Sequence, residues 1–274
     1  MKVGFIGVGS MGSMLIDTLL EAKSIEEKDI VIINRTVLKA KAVQEKYPGV
    51  MIAPSIKELA ETCKWIFLCV KPKDIPVLTP TITPFLTNEH VMISITSPVS
   101  VEHLEELFPC KVGRIIPSIL NRAQSGSTLV SFSNRCTQED EQEILAFIST
   151  ISSPLFIDEN VTRVSSDIVS CGPAFFAFMA QRFIEGAVSE TPLGEKEATE
   201  LTTSMLIGLG KLLEEGYYTL PTLQERVCVP GGITGVGIAH LDQLVGDGFG
   251  SLFRLTEEKF SSEKQKLVQE FQLK

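Results

Sequence analysis

The first half of the chain alternates short apolar runs with segments in which apolar residues recur at helical spacing. The apolar runs predict strands at residues 2–6, 30–33, 50–53, 65–70, 91–95, 112–116, 128–132 and 155–157. The helical patterns between them lie at residues 11–21, 37–46, 55–62, 75–86, 101–107 and 138–150. Buried strands that alternate with helices predict a parallel, doubly wound α/β sheet covered on both faces.

After about Asn160 the strand-like runs stop and long helical patterns take over. Gly172-Pro173 opens a phenylalanine-rich helix that is apolar on nearly every side, as expected for a helix buried in a core or between subunits. Further helices are predicted at residues 195–215, 234–245 and 248–271. The pattern therefore predicts an α/β domain at residues 1–160 and an all-helical domain at residues 161–274.

Composition and charge narrow the classes of partner. The 274 residues, 44% of them apolar, suit a two-domain globular protein, and 34 acidic against 25 basic residues give a net charge of −9. That charge disfavours nucleic acid and anionic membranes, and no apolar run is long enough to span a bilayer. The six cysteines form no C-x-x-C pair and only three histidines are present, so no metal site is predicted.

The start of the chain resembles a signal peptide only superficially. The uncharged stretch after Lys2 holds four glycines, and no small-residue cleavage site follows it. We therefore expect a cytoplasmic protein with reduced thiols.

A glycine-rich turn follows the first predicted strand and opens the first predicted helix. Its sequence, Gly7-Val8-Gly9-Ser10-Met11-Gly12, matches G-x-G-x-x-G in the strand–turn–helix context that the motif requires. The first glycine permits a tight turn, the second lets the backbone approach a pyrophosphate, and the third lets helix and strand pack closely. The helix N-terminus offers N–H groups to the phosphates. We therefore predict a dinucleotide site rather than a turn without a ligand.

The second predicted strand ends at Asn34-Arg35-Thr36, where an NAD enzyme usually carries an acidic residue for the ribose 2′-hydroxyl. Arg35 can bind a 2′-phosphate through its planar guanidinium, and Asn34 and Thr36 can add hydrogen bonds. The alternative is a solvent-exposed arginine in a turn. The residues present favour NADP, as NADPH, over NAD.

The fourth predicted strand closes with Cys69-Val70-Lys71-Pro72. Loops at the carboxyl ends of parallel strands face the ligand crevice, so Lys71 is a candidate neighbour of the cofactor. An ordinary surface lysine explains the position equally well. Cys69 is interpreted as a buried strand residue rather than a nucleophile, because no nearby residue would activate it.

A second glycine-containing turn, Val229-Pro230-Gly231-Gly232-Ile233-Thr234, joins two predicted helices. Backbone N–H groups and the Thr234 hydroxyl can converge there on an anion such as a carboxylate. A tight interhelical turn without a ligand is the alternative.

These segments together resemble the pyrroline-5-carboxylate reductase family along the whole chain. The matching segments are residues 4–12, 70–72, 172–174 and 230–234. Segments that resemble the divergent ComER-like branch of late competence proteins are residues 34–36, 94–98, 116–119 and 170–174. The resemblance implies a Rossmann-like domain, a helical dimerisation domain, a homodimer or higher homo-oligomer, and reduction of a cyclic imine carboxylate by NAD(P)H. The cofactor contacts that it implies include Val70, Pro72, Thr96 and Ser97, and the substrate contacts are Val229, Gly231, Gly232, Ile233 and Thr234.

Departures from the family pattern concentrate at the nicotinamide and substrate end. Ser118 stands where the family has asparagine, Cys171 and Val229 where it has serine, and Pro98 where it has glycine. On the adenosine side, Ile56 replaces an asparagine of the family. Loss of one donor to a carboxylate costs on the order of 1–3 kcal/mol, which weakens binding without abolishing it.

Three functions follow from these residues. The first is an NADP-linked imine reductase acting on 1-pyrroline-5-carboxylate, whose protonated imine is already electrophilic and requires neither a catalytic histidine nor a metal. We assign no general acid or base. The second is an NADP-binding regulatory protein, related to competence or sporulation, with little or no turnover. The third, a β-hydroxy acid dehydrogenase, is disfavoured because Gln181-Arg182 stands where such enzymes carry lysine and asparagine.

Overall fold

The computed structural model describes residues 1–271, and its α/β part is built on one eight-stranded sheet. The strands are β1 (Val3–Ile6), β2 (Ile30–Ile33), β3 (Met51–Ile52), β4 (Trp65–Leu68), β5 (Val91–Ser94), β6 (Lys111–Ile116), β7 (Ser127–Phe132) and β8 (Ser153–Phe156). Their order across the sheet is β3-β2-β1-β4-β5-β6-β7-β8. Because the chain runs outward from β1 in both directions, the sheet is doubly wound and the predicted fold class is confirmed.

The helices follow the strands closely in the first half and stand alone in the second. Those of the first half are α1 (Ser10–Glu21), α2 (Val37–Lys46), α3 (Ile56–Thr62), α4 (Ile75–Ile82), α5 (Val101–Leu107) and α6 (Gln138–Ser149). Those of the second half are α7 (Thr162–Ser166), α8 (Gly172–Glu190), α9 (Glu195–Glu214), α10 (Leu220–Val227), α11 (Ile233–Val245) and α12 (Gly248–Phe271).

Helices cover both faces of the sheet because its strands are apolar on both. On one face Phe5 and Phe67 stack with ring centroids 5.0 Å apart, in a cluster with Leu15 of α1. On the other face Ile66 packs in a cluster with Leu104 of α5. Strands buried on both faces read as near-continuous apolar runs, which is why their positions could be predicted.

The sheet is not wholly parallel, which corrects the prediction. Strands β1 to β6 pair in parallel, whereas β7 runs antiparallel to β6 and β8 runs parallel to β7. Residues 117–126 link β6 to β7, and that link is shorter than the dozen or more residues that a parallel crossover needs. A short 3₁₀ turn at Ile119–Ala123 and a positive φ of 74° at Gly126 reverse the chain instead.

The helical half begins at α7, before the helix predicted from Gly172, and passes through a π-helical turn at Asp167–Cys171 into α8. Pro173 explains the irregularity because it has no N–H to direct at the carbonyl of Val169, four residues before it. The Ser118 hydroxyl donates to that carbonyl at 2.6 Å. Helix α10 was not predicted at all, although Thr219 caps it and Pro221 lies in its first turn.

Residue contacts group the described chain into two compact units. The sheet unit comprises Met1–Pro173 with the chain from Thr256 onward, and the helical unit comprises Ala174–Leu255. Within the sheet unit, the Thr256 hydroxyl donates to Asp167 at 2.6 Å and Lys264 pairs with Glu159 at 3.0 Å. The domain division at residue 160 stays a prediction.

Candidate functional site

The first and third glycines of the glycine-rich turn are required by close backbone approach. Gly7 has a φ of 101°, and a Cβ added to it would lie 2.5 Å from the Cys69 carbonyl oxygen. A Cβ on Gly12 would lie 2.3 Å from the Gly7 carbonyl oxygen. A Cβ on Gly9 would meet no atom within 4 Å. The turn therefore packs tightly beneath Gly7 and Gly12 and leaves open space at Gly9, the glycine that the G-x-G-x-x-G motif reserves for close backbone approach to a ligand.

Asn34 ties this turn to the end of β2. Its Oδ1 accepts from the Val8 N–H at 3.0 Å, and its Nδ2 donates to the Thr36 carbonyl at 2.9 Å. The Gly7 N–H donates to the Ile33 carbonyl at 2.8 Å. Asn34 therefore holds the backbone of the turn, and the Val8 N–H is already engaged.

The N-terminus of α1 is free to receive an anion. Gly9 is its N-cap, no side chain caps it, and its first turn contains no acidic residue. Ser10 begins the helix and is exposed, whereas Met11 is half-buried against the core. The N–H groups of the first turn and the helix dipole thus face the open space at Gly9.

A cavity of about 450 Å³ opens at this end of the sheet. Its lining includes Gly7, Gly9, Asn34, Arg35, Thr36, Lys39, Ile56, Cys69, Val70, Asp74, Val77 and Leu78. We call this cavity the cradle.

The cradle is lined by charged side chains. The Arg35 side chain is 90% exposed, and its Nη1 lies 3.8 Å from Oδ1 of Asp74. Lys39, in the first turn of α2, adds a second cation that the sequence analysis missed, although it lies only four residues after Arg35 in the sequence.

Three other predicted cofactor positions lie near the cradle's end of the sheet. Lys71 is exposed and precedes the 3₁₀ turn at Pro72–Asp74. Thr96 and Ser97 follow β5 and are half-buried, and the Thr96 hydroxyl lies 3.0 Å from the hydroxyl of Ser94. Buried Arg114 fixes this loop by donating to the Ser97 carbonyl at 3.3 Å.

Arg114 was not singled out by the sequence analysis because its surroundings depend on distant segments. It is 1% exposed in β6, and its Nη2 contacts Glu159 at 2.8 Å and the Thr162 hydroxyl at 2.9 Å. The ion pair compensates the charge of a guanidinium that would otherwise be costly to bury.

Cys69 lines the cradle as a thiol rather than a thiolate. Burial raises its pKa to about 12. A cysteine that stays protonated at neutral pH is a poor nucleophile, as the sequence analysis expected. Its interpretation as a buried strand residue is wrong, because Cys69 follows the end of β4 at Leu68 and is half-buried.

The turn at Val229–Thr234 lies in the helical unit and has its own internal bonding. The Gly232 N–H donates to the Val229 carbonyl at 2.9 Å, and Gly231 has a φ of 75°. With Pro230 before that glycine, the segment has the features of a type II turn. Gly232 caps α11, whose first turn contains no acidic residue. Ile233 is almost fully exposed and Thr234 is half-buried, so the free N–H groups at this helix start belong to residues after Gly232.

The helical unit exposes many large apolar side chains in the single chain. They include Phe176, Phe178, Phe183, Leu201, Met205, Leu206, Ile207, Leu220, Val236, Leu241 and Leu244. Exposed apolar side chains in this number are typical of an interaction surface. Within residues 1–271 no helix is long and apolar enough to cross a membrane, and no three potential metal-ligating side chains come together.

The doubly wound sheet and the glycine-rich cradle define a Rossmann-fold oxidoreductase of the NADP-binding kind. The profile described as "NADP oxidoreductase coenzyme F420-dependent" matches residues 2–98, and that described as "Pyrroline-5-carboxylate reductase dimerisation" matches residues 159–262. The chain is 45% identical to ComE operon protein 4 of Bacillus subtilis, with 99% of each chain covered. It is 30% identical to pyrroline-5-carboxylate reductase 3 of the same organism, over 94% of this chain and 95% of that one.

The chain therefore belongs to the pyrroline-5-carboxylate reductase family. A solved structure of Plasmodium falciparum pyrroline carboxylate reductase with NADP bound has the same fold. It matches with a TM-score of 0.81 at 22% identity and covers 97% of each chain.

Proposed function

We propose that the protein is an NADP-linked imine reductase that acts on 1-pyrroline-5-carboxylate. The observation that carries the cofactor part is the cradle, where an uncapped helix N-terminus meets a wall bearing Arg35 and Lys39. The substrate part rests on membership of the family and on 30% identity to a pyrroline-5-carboxylate reductase. We also propose that it acts in the cytoplasm as a homodimer through its dimerisation segment.

Each part of the proposed site has a separate role. The first turn of α1 and the space at Gly9 suit a pyrophosphate, and Arg35 and Lys39 suit a 2′-phosphate. When bound, NADPH supplies the hydride. The Thr234 hydroxyl and the N–H groups at the start of α11 hold the substrate carboxylate. Because a protonated imine is already electrophilic, alignment of the reactants is the main task, and no residue is assigned as a general acid or base.

A second function is favoured by one observation. The chain is more similar to ComE operon protein 4 than to pyrroline-5-carboxylate reductase 3, and it carries Val229 and Ser118 in place of the family's serine and asparagine. These features suit a regulatory protein that binds NADP and turns over little imine.

The cofactor proposal is tested by Arg35→Ala. Unmodified protein is expected to bind NADPH about 10- to 100-fold more tightly than NADH, because a charge-assisted contact to a phosphate contributes roughly 1.5–3 kcal/mol. The substitution should remove most of that gap, measured by fluorescence titration with each nucleotide. Equal affinities of the unmodified protein for the two nucleotides would contradict the assignment.

The substrate proposal is tested by NADPH oxidation with added 1-pyrroline-5-carboxylate. We expect turnover with a high KM, because the hydroxyl missing at Val229 removes a contact made in both the ground and transition states. Val229→Ser should lower KM several-fold, on the scale of one hydrogen bond, and Thr234→Val should raise it. Affinity for NADPH serves as the control and should not change in either variant. If the protein binds NADPH but neither it nor Val229→Ser oxidises it with the imine, the regulatory function replaces the reductase.

A further inference from the structure

The cradle has an acidic residue on the wall opposite its cations. Arg35 and Lys39 lie on the turn after β2 and on α2, whereas Asp74 lies at the junction of the 3₁₀ turn Pro72–Asp74 and α4. Asp74 and Arg35 both line the cavity, and their charged atoms approach to 3.8 Å. The carboxylate thus faces the guanidinium that we propose as the 2′-phosphate ligand.

The Asp74 carboxylate has no helix-capping role that would explain it. Asp74 is the N-cap residue of α4, but its side chain forms no capping hydrogen bond. Within the described chain, the ion pair with Arg35 is the contact in which its carboxylate takes part. The Asp74 side chain is one-third exposed, so the pair is partly screened by solvent. An ion pair of this kind can be displaced by an anion of higher charge.

The position of this carboxylate has a direct consequence for nucleotide choice. A 2′-phosphate carries more than one negative charge and must take Arg35 away from Asp74, whereas a 2′-hydroxyl has no charge to place there. Asp74 therefore opposes NADPH and leaves NADH unaffected. Arg35 and Lys39 are positively charged and Asp74 is negatively charged, so these three side chains together give the cradle a net positive charge.

We propose that Asp74 is a positioning residue that acts through Arg35 and limits the preference of the cradle for NADPH over NADH. The proposal rests on the proposed binding of NADP and adds to it a residue that sets the size of the preference. It predicts that removal of the Asp74 charge makes the protein more selective, not less.

The test is nucleotide titration of Asp74→Asn, an isosteric change that retains a good N-cap residue for α4. We expect NADPH to bind at least about threefold more tightly and NADH to change by less than about twofold, as for the loss of one screened ion pair. Asp74→Glu, which keeps the charge, should restore an NADPH to NADH ratio close to that of the unmodified protein. In an Arg35→Ala background, Asp74→Asn should give a smaller gain.

Asp29→Asn is the matched control. It makes the same change in net charge, but Asp29 lies before β2, at the opposite end of that strand from the cradle. Equal tightening of NADPH by Asp29→Asn would show an effect of net charge and overturn the proposal. So would weaker NADPH binding by Asp74→Asn, or a gain that persists in full without Arg35.

Failure of the proposed function gives a different result. If neither nucleotide binds to the unmodified protein or to Asp74→Asn, both the NADP site and this inference are wrong. If NADPH binds both proteins with the same affinity, only the role of Asp74 is wrong.

Discussion

Gly9 and Gly12 lie in the same turn, but their surroundings differ. The space at Gly9 is open, whereas Gly12 packs against the Gly7 carbonyl and lies close to Cys69. One motif therefore contains a position where an added methyl group would meet open space and another where it would meet the protein.

These two positions make a matched pair of substitutions. Gly12→Ala should lower the free energy of unfolding by about 1–3 kcal/mol, because the added methyl group overpacks the turn, and it should also weaken NADPH binding. Gly9→Ala should change stability by less than about 1 kcal/mol while it weakens NADPH binding, because the methyl group enters the space proposed for the phosphates. Urea unfolding and nucleotide titration measure the two effects. A stable Gly12→Ala variant with unchanged NADPH affinity would contradict the packing described for this turn.

Single residues could be predicted from sequence only where one local rule decides them. The spacing of Gly7, Gly9 and Gly12 is such a case, since each glycine answers a backbone requirement that the motif states. The role of Asn34 could not be predicted in this way, because its contacts with Val8 and Thr36 depend on how two turns come together. Asp74 was missed for the same reason, since it reaches the cradle from the start of α4, whereas Lys39 lies four residues from Arg35 and could have been noticed.

At the scale of elements, the start of α6 shows how a cap and an ion pair combine. Thr137 and Asp140 form a reciprocal capping box, and Lys111 reaches the Asp140 carboxylate at 2.6 Å. Burial raises the pKa of Asp140, but hydrogen bonds from Lys111 and Thr137 outweigh it and hold the pKa below its usual value of 3.8. The pKa of Lys111 is raised by the same hydrogen bond.

Asp140→Asn should lower the free energy of unfolding at neutral pH by about 2 kcal/mol, the scale of hydrogen bonds to a charged group. A carboxylate whose folded pKa is depressed gives stability that is complete above its unfolded pKa and is lost as pH falls through the folded pKa. The difference between unmodified protein and variant should therefore be largest above about pH 5 and shrink below pH 3.8. Urea unfolding across this range measures it.

The control for that prediction is Glu139→Gln, which removes the same charge from an exposed neighbour in the same helical turn. It should cost less than about 1 kcal/mol, the usual size of a helix-dipole effect. A pH-independent difference between the unmodified protein and Asp140→Asn would show that packing, not charge, is what Asp140 contributes.

Strands and helices were predicted well where the periodicity of apolar residues alone defines them. They were predicted poorly where the connections between elements decide their direction or their presence. The strands from β1 to β6 stand out as apolar runs, but the direction of β7 depends on the length of the link before it. Helix α10 is short and lies between two turns, so its apolar spacing did not stand out in the sequence. The π-helical turn before α8 follows from Pro173 together with a partner, Ser118, that lies far away in sequence.

At the scale of the whole molecule, the helical unit leaves many large apolar side chains exposed in the single chain. Phe183 of α8 is 66% exposed, and Leu201 and Ile207 of α9 are also exposed. The chain matches a dimerisation family over residues 159–262, which is consistent with a subunit contact in this unit. The sequence predicted the apolar character of α8 but could not say which of its faces the rest of the chain would cover.

Phe183→Glu should therefore produce a folded monomer, because a charge placed in an apolar interface is costly to bury. Unmodified protein is expected to have at least twice the monomer mass in light scattering at micromolar concentration. Leu38→Glu is the matched control, since Leu38 is also a large, exposed apolar residue but lies on α2 of the sheet unit. A monomeric unmodified protein, or loss of the dimer in both variants, would contradict this location of the interface.

Trp65 is the only tryptophan in the sequence, and it lies in β4, almost fully buried, with its ring edge-on to Phe147 at 5.5 Å. The chain therefore contains a single indole fluorophore inside the sheet unit and none in the helical unit. Its emission reports loss of packing around the sheet, whereas far-ultraviolet circular dichroism is dominated by the helices. Denaturation curves that coincide by the two signals would show that the units unfold together, and curves that separate would show that one melts first.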